Sequence, residues 1–186
     1  MEVGERFERG LYEGNIYTVK FMIETKLISP NFKGNIAIEM ASELNHLEIA
    51  KYLLTYPEID PGADQNISIA RASEKGFVEM VKLLIKDPRC NPADDNNLPL
   101  QLACCWNQYP VVSILLKDAR VDPCFEDFDG LKMALRNNHI GIVRLLCYDK
   151  RMNKKIARQL ITDRVNEIEV DPFKQELMNM IRTIRL

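Results

Sequence analysis

Residues 40–54, MASELNHLEIAKYLL, and residues 71–85, RASEKGFVEMVKLLI, are two versions of one pattern. Small residues come first, then a break at Asn45 or Gly76, then a broad apolar stripe ending in large aliphatics. The stretches lie 31 residues apart, and that interval runs through the chain: Pro30, Pro61, Pro92 and Pro123 keep it. So do Ala41, Ala72, Ala103 and Ala134, and Leu53, Leu84, Leu115 and Leu146. Three position classes sharing one period identify an internal repeat. Gly14, Asn15, Ile16, Val19, Phe21 and Met22 carry the register back one further unit, which lacks its loop and begins with a helix near Glu5.

The spacing predicts two short helices per unit. Asn35, Asn66 and Asn97 stand where the first helix needs an N-cap; Phe128 takes that place in the fourth unit, leaving Asp127 or Asp129 to cap. Asn45, Gly76, Asn107 and Asn138 suit a turn with positive φ between the helices. Val78, Val81, Leu83, Leu84 and Ile85 mark the buried stripe of a second helix. Pro57 and Pro88 end such helices, because proline cannot continue the hydrogen-bond ladder. The aligned alanines imply close approach of neighbouring helices.

This pattern resembles the ankyrin repeat, whose small-small-x-x-Gly-His run before paired hydrophobics is matched at residues 41–54 and 72–85. The resemblance covers about residues 5–151 and implies an all-α solenoid of stacked helix-turn-helix units with short loops or hairpins between them. The ordinary unit is about 33 residues with a T-P-L-H opening. Here the unit is shorter and opens with Ile36-Ala37-Ile38-Glu39 or Leu98-Pro99-Leu100-Gln101. The short Asp-Pro type is similar to ankyrin repeats of large DNA viruses of protists and of amoebae. One domain over residues 1–186 follows: an N-terminal unit at about 5–27, repeats at 28–58, 59–89, 90–120 and 121–151, and a helical cap at 152–186. In that last segment Ile156, Leu160, Ile161, Val165 and Ile168 are helically spaced, as are Phe173, Leu177, Ile181 and Ile184 after an Asp171-Pro172 start.

An apolar fraction of 46%, a charged fraction of 28% and a net charge of -2 give no general reason to expect nucleic acid or membrane as partner. The start of the chain lacks the apolar stretch of a secretory signal. Five cysteines without metal-ligand spacing suggest reduced thiols and a cytoplasmic setting, with the nucleus as the alternative and the host cytoplasm if the chain is viral. The excess of basic residues after Lys150 is spread along helices without interleaved aromatics, so a solvated face is expected there.

No residue set calls for a cofactor, a metal or an enzyme. His46 and His139 share one repeat position, where an imidazole can bind backbone groups at the inter-helix turn. Asp64, Asp94, Asp95, Glu126 and Asp127 fall in successive loops and read as an acidic rim. Cys104 aligns with Ser42 and Ser73 inside a helix, and Cys90 and Cys147 fill apolar slots. Cys124 sits in a loop.

Trp106 aligns with Glu13, Leu44, Lys75 and Asn137, and Cys105 with Tyr12, Glu43, Glu74 and Arg136. Positions that accept such variety are expected at the surface. The resemblance implies that these ten residues line the concave side and contact a protein partner. The exposed aromatics expected at loop tips, Phe32, Phe125 and Phe128, join them. The expected function is non-catalytic protein binding by a monomer. A structural or assembly role, as a homo-oligomer or virion component, is the alternative; Phe173, Met178, Met180 and Ile184 would supply its self-association face. A ubiquitin-ligase substrate adaptor ranks behind both, because no docking motif is evident.

Overall fold

The computed structural model describes residues 2–169 and 172–184. Among these there are twelve helices and no strand. One layer holds α1 (Val3–Tyr12), α3 (Phe32–Glu43), α5 (Ala63–Lys75), α7 (Asp94–Cys105), α9 (Phe125–Arg136) and α11 (Lys154–Glu167), each packed on the next. The other holds α2 (Ile16–Glu24), α4 (Leu47–Leu53), α6 (Val78–Lys86), α8 (Tyr109–Leu115), α10 (Ile140–Tyr148) and α12 (Pro172–Thr183), stacked in the same order. Each odd helix also packs on the even helix that follows it.

The repeat positions explain this stacking. Ala41, Ala72, Ala103 and Ala134 are fully buried in the odd layer, where a methyl group lets helix backbones come close. Leu53, Leu84, Leu115 and Leu146 are fully buried in the even layer. Asn45, Gly76, Asn107 and Asn138 all have φ between 57 and 76°, as the turns between helices require.

The loops differ from a hairpin and from the expected caps. α3, α5, α7 and α9 each open with three residues in the left-handed region: Lys33 to Asn35, Asp64 to Asn66, Asp95 to Asn97, and Glu126 to Phe128. The right-handed helix starts only after them, which places Pro99 in its first turn, where no backbone donor is needed. A left-handed turn costs L-residues roughly 1–2 kcal/mol each, least for Asn and Asp. That cost accounts for the acidic and amide residues of these loops.

Asn35, Asn66 and Asn97 do not cap their own helices. Their side-chain oxygens accept the backbone N–H of Asp60, Asn91 and Asp122 in the following unit, at 2.7, 2.7 and 3.0 Å. Each is therefore a tie across a junction. Asp60 and Asp122 in turn accept the N–H two residues on, at 2.9 and 2.8 Å, closing the turn at the repeat proline. Replacing Asn97 by alanine removes the tie and leaves a β-carbon in the left-handed region at φ 58 without an amide to favour it. A loss of about 1–2 kcal/mol is expected in urea unfolding, largely restored by Asn97→Asp.

The helices after Arg151 continue both layers, α11 on α9 and α12 on α10. Ala157, Ile161 and Val165 form the buried stripe of α11, while Ile156 is exposed. In α12 the buried residues are Phe173, Leu177 and Met180, followed by Ile184; Met178 and Ile181 are half-buried. The cap residue expected at Asp171 lies outside the described residues. The apolar side chains expected to form a self-association face are therefore mostly used within the chain.

Candidate functional site

The turns between α1 and α2, α3 and α4, α5 and α6, α7 and α8, and α9 and α10 bring one row of side chains to one edge. Polar side chains fix the spacing of this row. His46 Nε2 lies 3.1 Å from the Tyr12 carbonyl, and His139 Nδ1 lies 2.9 Å from that of Cys104. Gln108, in the same repeat position, donates to the Glu74 carbonyl at 2.9 Å. Each bond goes to the end of the preceding unit's odd helix, so the imidazoles join units as well as turns. A ring nitrogen that bonds a carbonyl carries its proton there. Asn137 adds a further link, donating to the Cys105 carbonyl at 3.3 Å.

Along this row Tyr12, Glu13, Glu43, Lys75, Trp106, Arg136 and Asn137 are exposed, while Leu44, Glu74 and Cys105 are half-buried. Trp106 is 59% exposed. It therefore does not fold down onto the third repeat, and its large apolar ring stands in solvent. Charge changes sign along the row, from Glu13, Glu43 and Glu74 to Arg136. Arg9 pairs with Glu13 at 2.7 Å and Arg71 with Glu74 at 3.0 Å. Both pairs are solvated and orient side chains more than they stabilise the fold.

The aromatic loop positions divide. Phe125 is 38% exposed, as expected of a loop tip. Phe128 is only 5% exposed, which corrects its placement among partner-contacting residues. It occupies the site of the bridging asparagines, and the loop it would tie has Asn153-Lys154 in place of Asp-Pro. With that role absent, an inward-facing position can be apolar. Phe32 is half-buried, its ring centroid 6.1 Å from that of Phe7 and edge-on to it, so it serves the α1–α3 contact.

Tyr109 was missed by the sequence reading. Its repeat counterparts Leu47, Val78 and Ile140 are apolar and half-buried, whereas Tyr109 is 47% exposed. Its ring runs over α10, 3.4 Å from where a β-carbon on Gly141 would stand. Glycine at 141 was the available signal.

Burial pushes the Cys90 and Cys147 thiols up to about 12 and raises Cys104 as well, which disfavours the reactive thiolate. The five cysteines are free. Partial burial, and then the charge of Asp64, hold the Glu39 carboxyl above its ordinary range. Among the described residues no group of three or more His, Cys, Asp or Glu side chains could hold a metal ion. No helix among them is long and apolar enough to cross a membrane.

A family model described as ankyrin repeats (3 copies) matches residues 69–158. No curated protein matches the chain. The matched segment runs from within α5 to within α11, through the in-phase alanines Ala72, Ala103 and Ala134 and the carbonyl links of Gln108 and His139. With helix pairs stacked in two layers before and after it, the protein is an all-α ankyrin-repeat solenoid.

Proposed function

We propose that the chain is a non-catalytic module that grips a protein partner along the row of odd-helix ends, with Trp106 as its anchor. Ankyrin repeats are generally protein–protein interaction modules. The observation that carries the reading is the exposure of Trp106, with Cys105 beside it and Lys75 and Asn137 in the equivalent positions of the adjoining units. Large, rigid aromatic side chains in such settings dominate interface energies. The remaining exposed members, Tyr12, Glu13, Glu43, Lys75, Arg136 and Asn137, set the charge pattern a partner must match. Phe125 extends this surface to a loop tip. The chain acts as a monomer in this reading, because the apolar residues of α12 that would favour a homo-oligomer are packed on α10 and α11.

Affinity capture from the native cell, done in parallel with Trp106→Ala, provides the partner, and its dissociation constant is then measured with purified proteins. Trp106→Ala is expected to weaken binding by about 2 kcal/mol, roughly 30-fold, with further loss on adding Glu74→Ala. The thermal midpoint should stay nearly unchanged, since Trp106 makes little contact with the core. Unaltered affinity in the double variant would overturn the assignment.

A further inference from the structure

The charges along the row of odd-helix ends are only partly satisfied within the chain. Glu13 pairs with Arg9 at 2.7 Å and Glu74 with Arg71 at 3.0 Å. In the groove between α9 and α11, Lys132 pairs with Asp127 at 2.6 Å and Arg164 with Glu167 at 3.1 Å. Asp163 accepts the Gln159 amide there at 2.7 Å. Arg136 lines the same groove, is exposed, and has no ion pair or hydrogen bond among the described residues. Lys75, equally exposed, has none either.

These two cations stand on either side of Trp106. Lys75 is in register with Trp106 one unit before it, and Arg136 is in register with Cys105 one unit after it. Links across the junctions hold the three helix ends together. Gln108 donates to the Glu74 carbonyl at 2.9 Å, next to Lys75, and Asn137, next to Arg136, donates to the Cys105 carbonyl at 3.3 Å. Glu43, one unit before Lys75, is exposed and is the row's one carboxylate without an ion pair among the described residues. In unit order, the unpaired groups therefore run negative, positive, aromatic, positive.

Packed helices stand about 8–10 Å apart, which sets the step from one unit to the next. A chain in the polyproline II conformation presents every third side chain to one side and rises about 9 Å over those three residues. Its side chains fall in step with the units.

We propose that the row receives an extended acidic segment of a protein partner, in which two carboxylates flank an apolar side chain at three-residue spacing. The apolar side chain packs on the Trp106 ring, and the carboxylates meet the Lys75 ammonium and the Arg136 guanidinium. The planar fork of Arg136 can hold both oxygens of its carboxylate. Glu43 repels a further acid at the next step and so ends the acidic stretch on that side. This inference rests on reading the row as the binding surface and adds the chemistry of what it binds. Single-stranded nucleic acid needs a continuous cationic track and successive stacking rings. The row offers two cations, one tryptophan and an opposing carboxylate, which favours the peptide.

Trp106 is the chain's only tryptophan, so its fluorescence reports the contact directly. The blocked heptapeptide acetyl-Glu-Pro-Pro-Leu-Pro-Pro-Glu-amide, titrated into the intact chain at low salt, is expected to change that fluorescence to saturation. Replacing both glutamates by lysine, or the leucine by alanine, should weaken binding about tenfold. Lys75→Glu, Arg136→Glu alters two exposed positions and should keep the thermal midpoint while reversing the preference, so that the lysine peptide binds more tightly. No response to the acidic peptide, equal binding of the acidic peptide and either replacement, or an unaltered preference in the charge-reversed variant would each overturn the assignment. A stronger response to octathymidylate than to the acidic peptide would assign the surface to single-stranded nucleic acid instead. Failure of the row itself is read separately, as unaltered partner affinity in Trp106→Ala, Glu74→Ala.

Discussion

Leu115→Ala is expected to destabilise the protein by about 2–5 kcal/mol and to lower its thermal midpoint by roughly 5–15 °C. Leu115 is fully buried at the end of α8, a seven-residue helix whose other buried residues are Val111 and Val112. Such a helix is too short to be stable alone, so its order comes from the face it packs. Truncation removes one of three anchors and leaves a cavity between α6 and α10, which pack on its two sides. In a solenoid each unit is stabilised mainly by its neighbours, so a weak unit divides the stack. Hydrogen exchange should therefore quicken first across residues 109–115, and the unfolding transition should broaden. Leu115→Met, which nearly conserves volume, should cost less than about 1.5 kcal/mol. A loss below about 1 kcal/mol for the alanine variant would show that Leu115 does not anchor the third unit.

The repeat was legible because packing imposes a volume on each contact between stacked helices. Ala103 and Leu115 must match Ala72 and Leu84, and a recurring volume leaves a recurring letter. Bonds across a junction leave weaker traces. Asn66 stands one residue before a right-handed helix, so its position was read correctly as a helix start. Its acceptor nevertheless serves Asn91, which local spacing cannot reveal. Phe128 shows the converse: an aromatic residue in a polar loop suggests exposure, but the left-handed backbone turns that position inward. The pairs Asp87/Arg89, Asp118/Arg120 and Asp149/Arg151 do recur in register and could have been found. They are the charged equivalent of the aligned leucines. Along the row of odd-helix ends, the variety of residues aligned with Trp106 correctly indicated a solvent-facing position. It could not extend to Tyr109, whose aligned residues are all apolar.

Arg151→Ala is expected to cost about 3 kcal/mol at neutral pH, more than an exposed ion pair is worth. Arg151 binds Val121 at 2.7 Å, Leu116 at 2.6 Å and Asp118 at 3.3 Å through their carbonyls, joining one unit's loop to the end of the preceding even helix. Its removal leaves those acceptors to water and strips Asp149 of its bidentate partner. The side-chain hydrogen bonds from Arg151 hold the Asp149 carboxyl below the ordinary carboxylate range, as Arg89 and Arg120 do for Asp87 and Asp118. A depressed folded-state value means that the stability it adds is fully present above the unfolded-state pKa of about 3.9 and is lost as pH falls through the lower folded value. The difference between wild type and Arg151→Ala should therefore be constant from neutral pH down to about 5 and shrink below about 4. The guanidinium stays charged throughout, so its carbonyl bonds persist at low pH. The difference that survives there measures those bonds, and the part that disappears measures the pair with Asp149. Arg151→Lys should recover only part of the loss, because an ammonium cannot hold both carboxylate oxygens and three carbonyls at once. Urea unfolding of the three proteins from neutral to acidic pH checks each expectation. A penalty that does not change with pH would show that Asp149 contributes nothing through its charge.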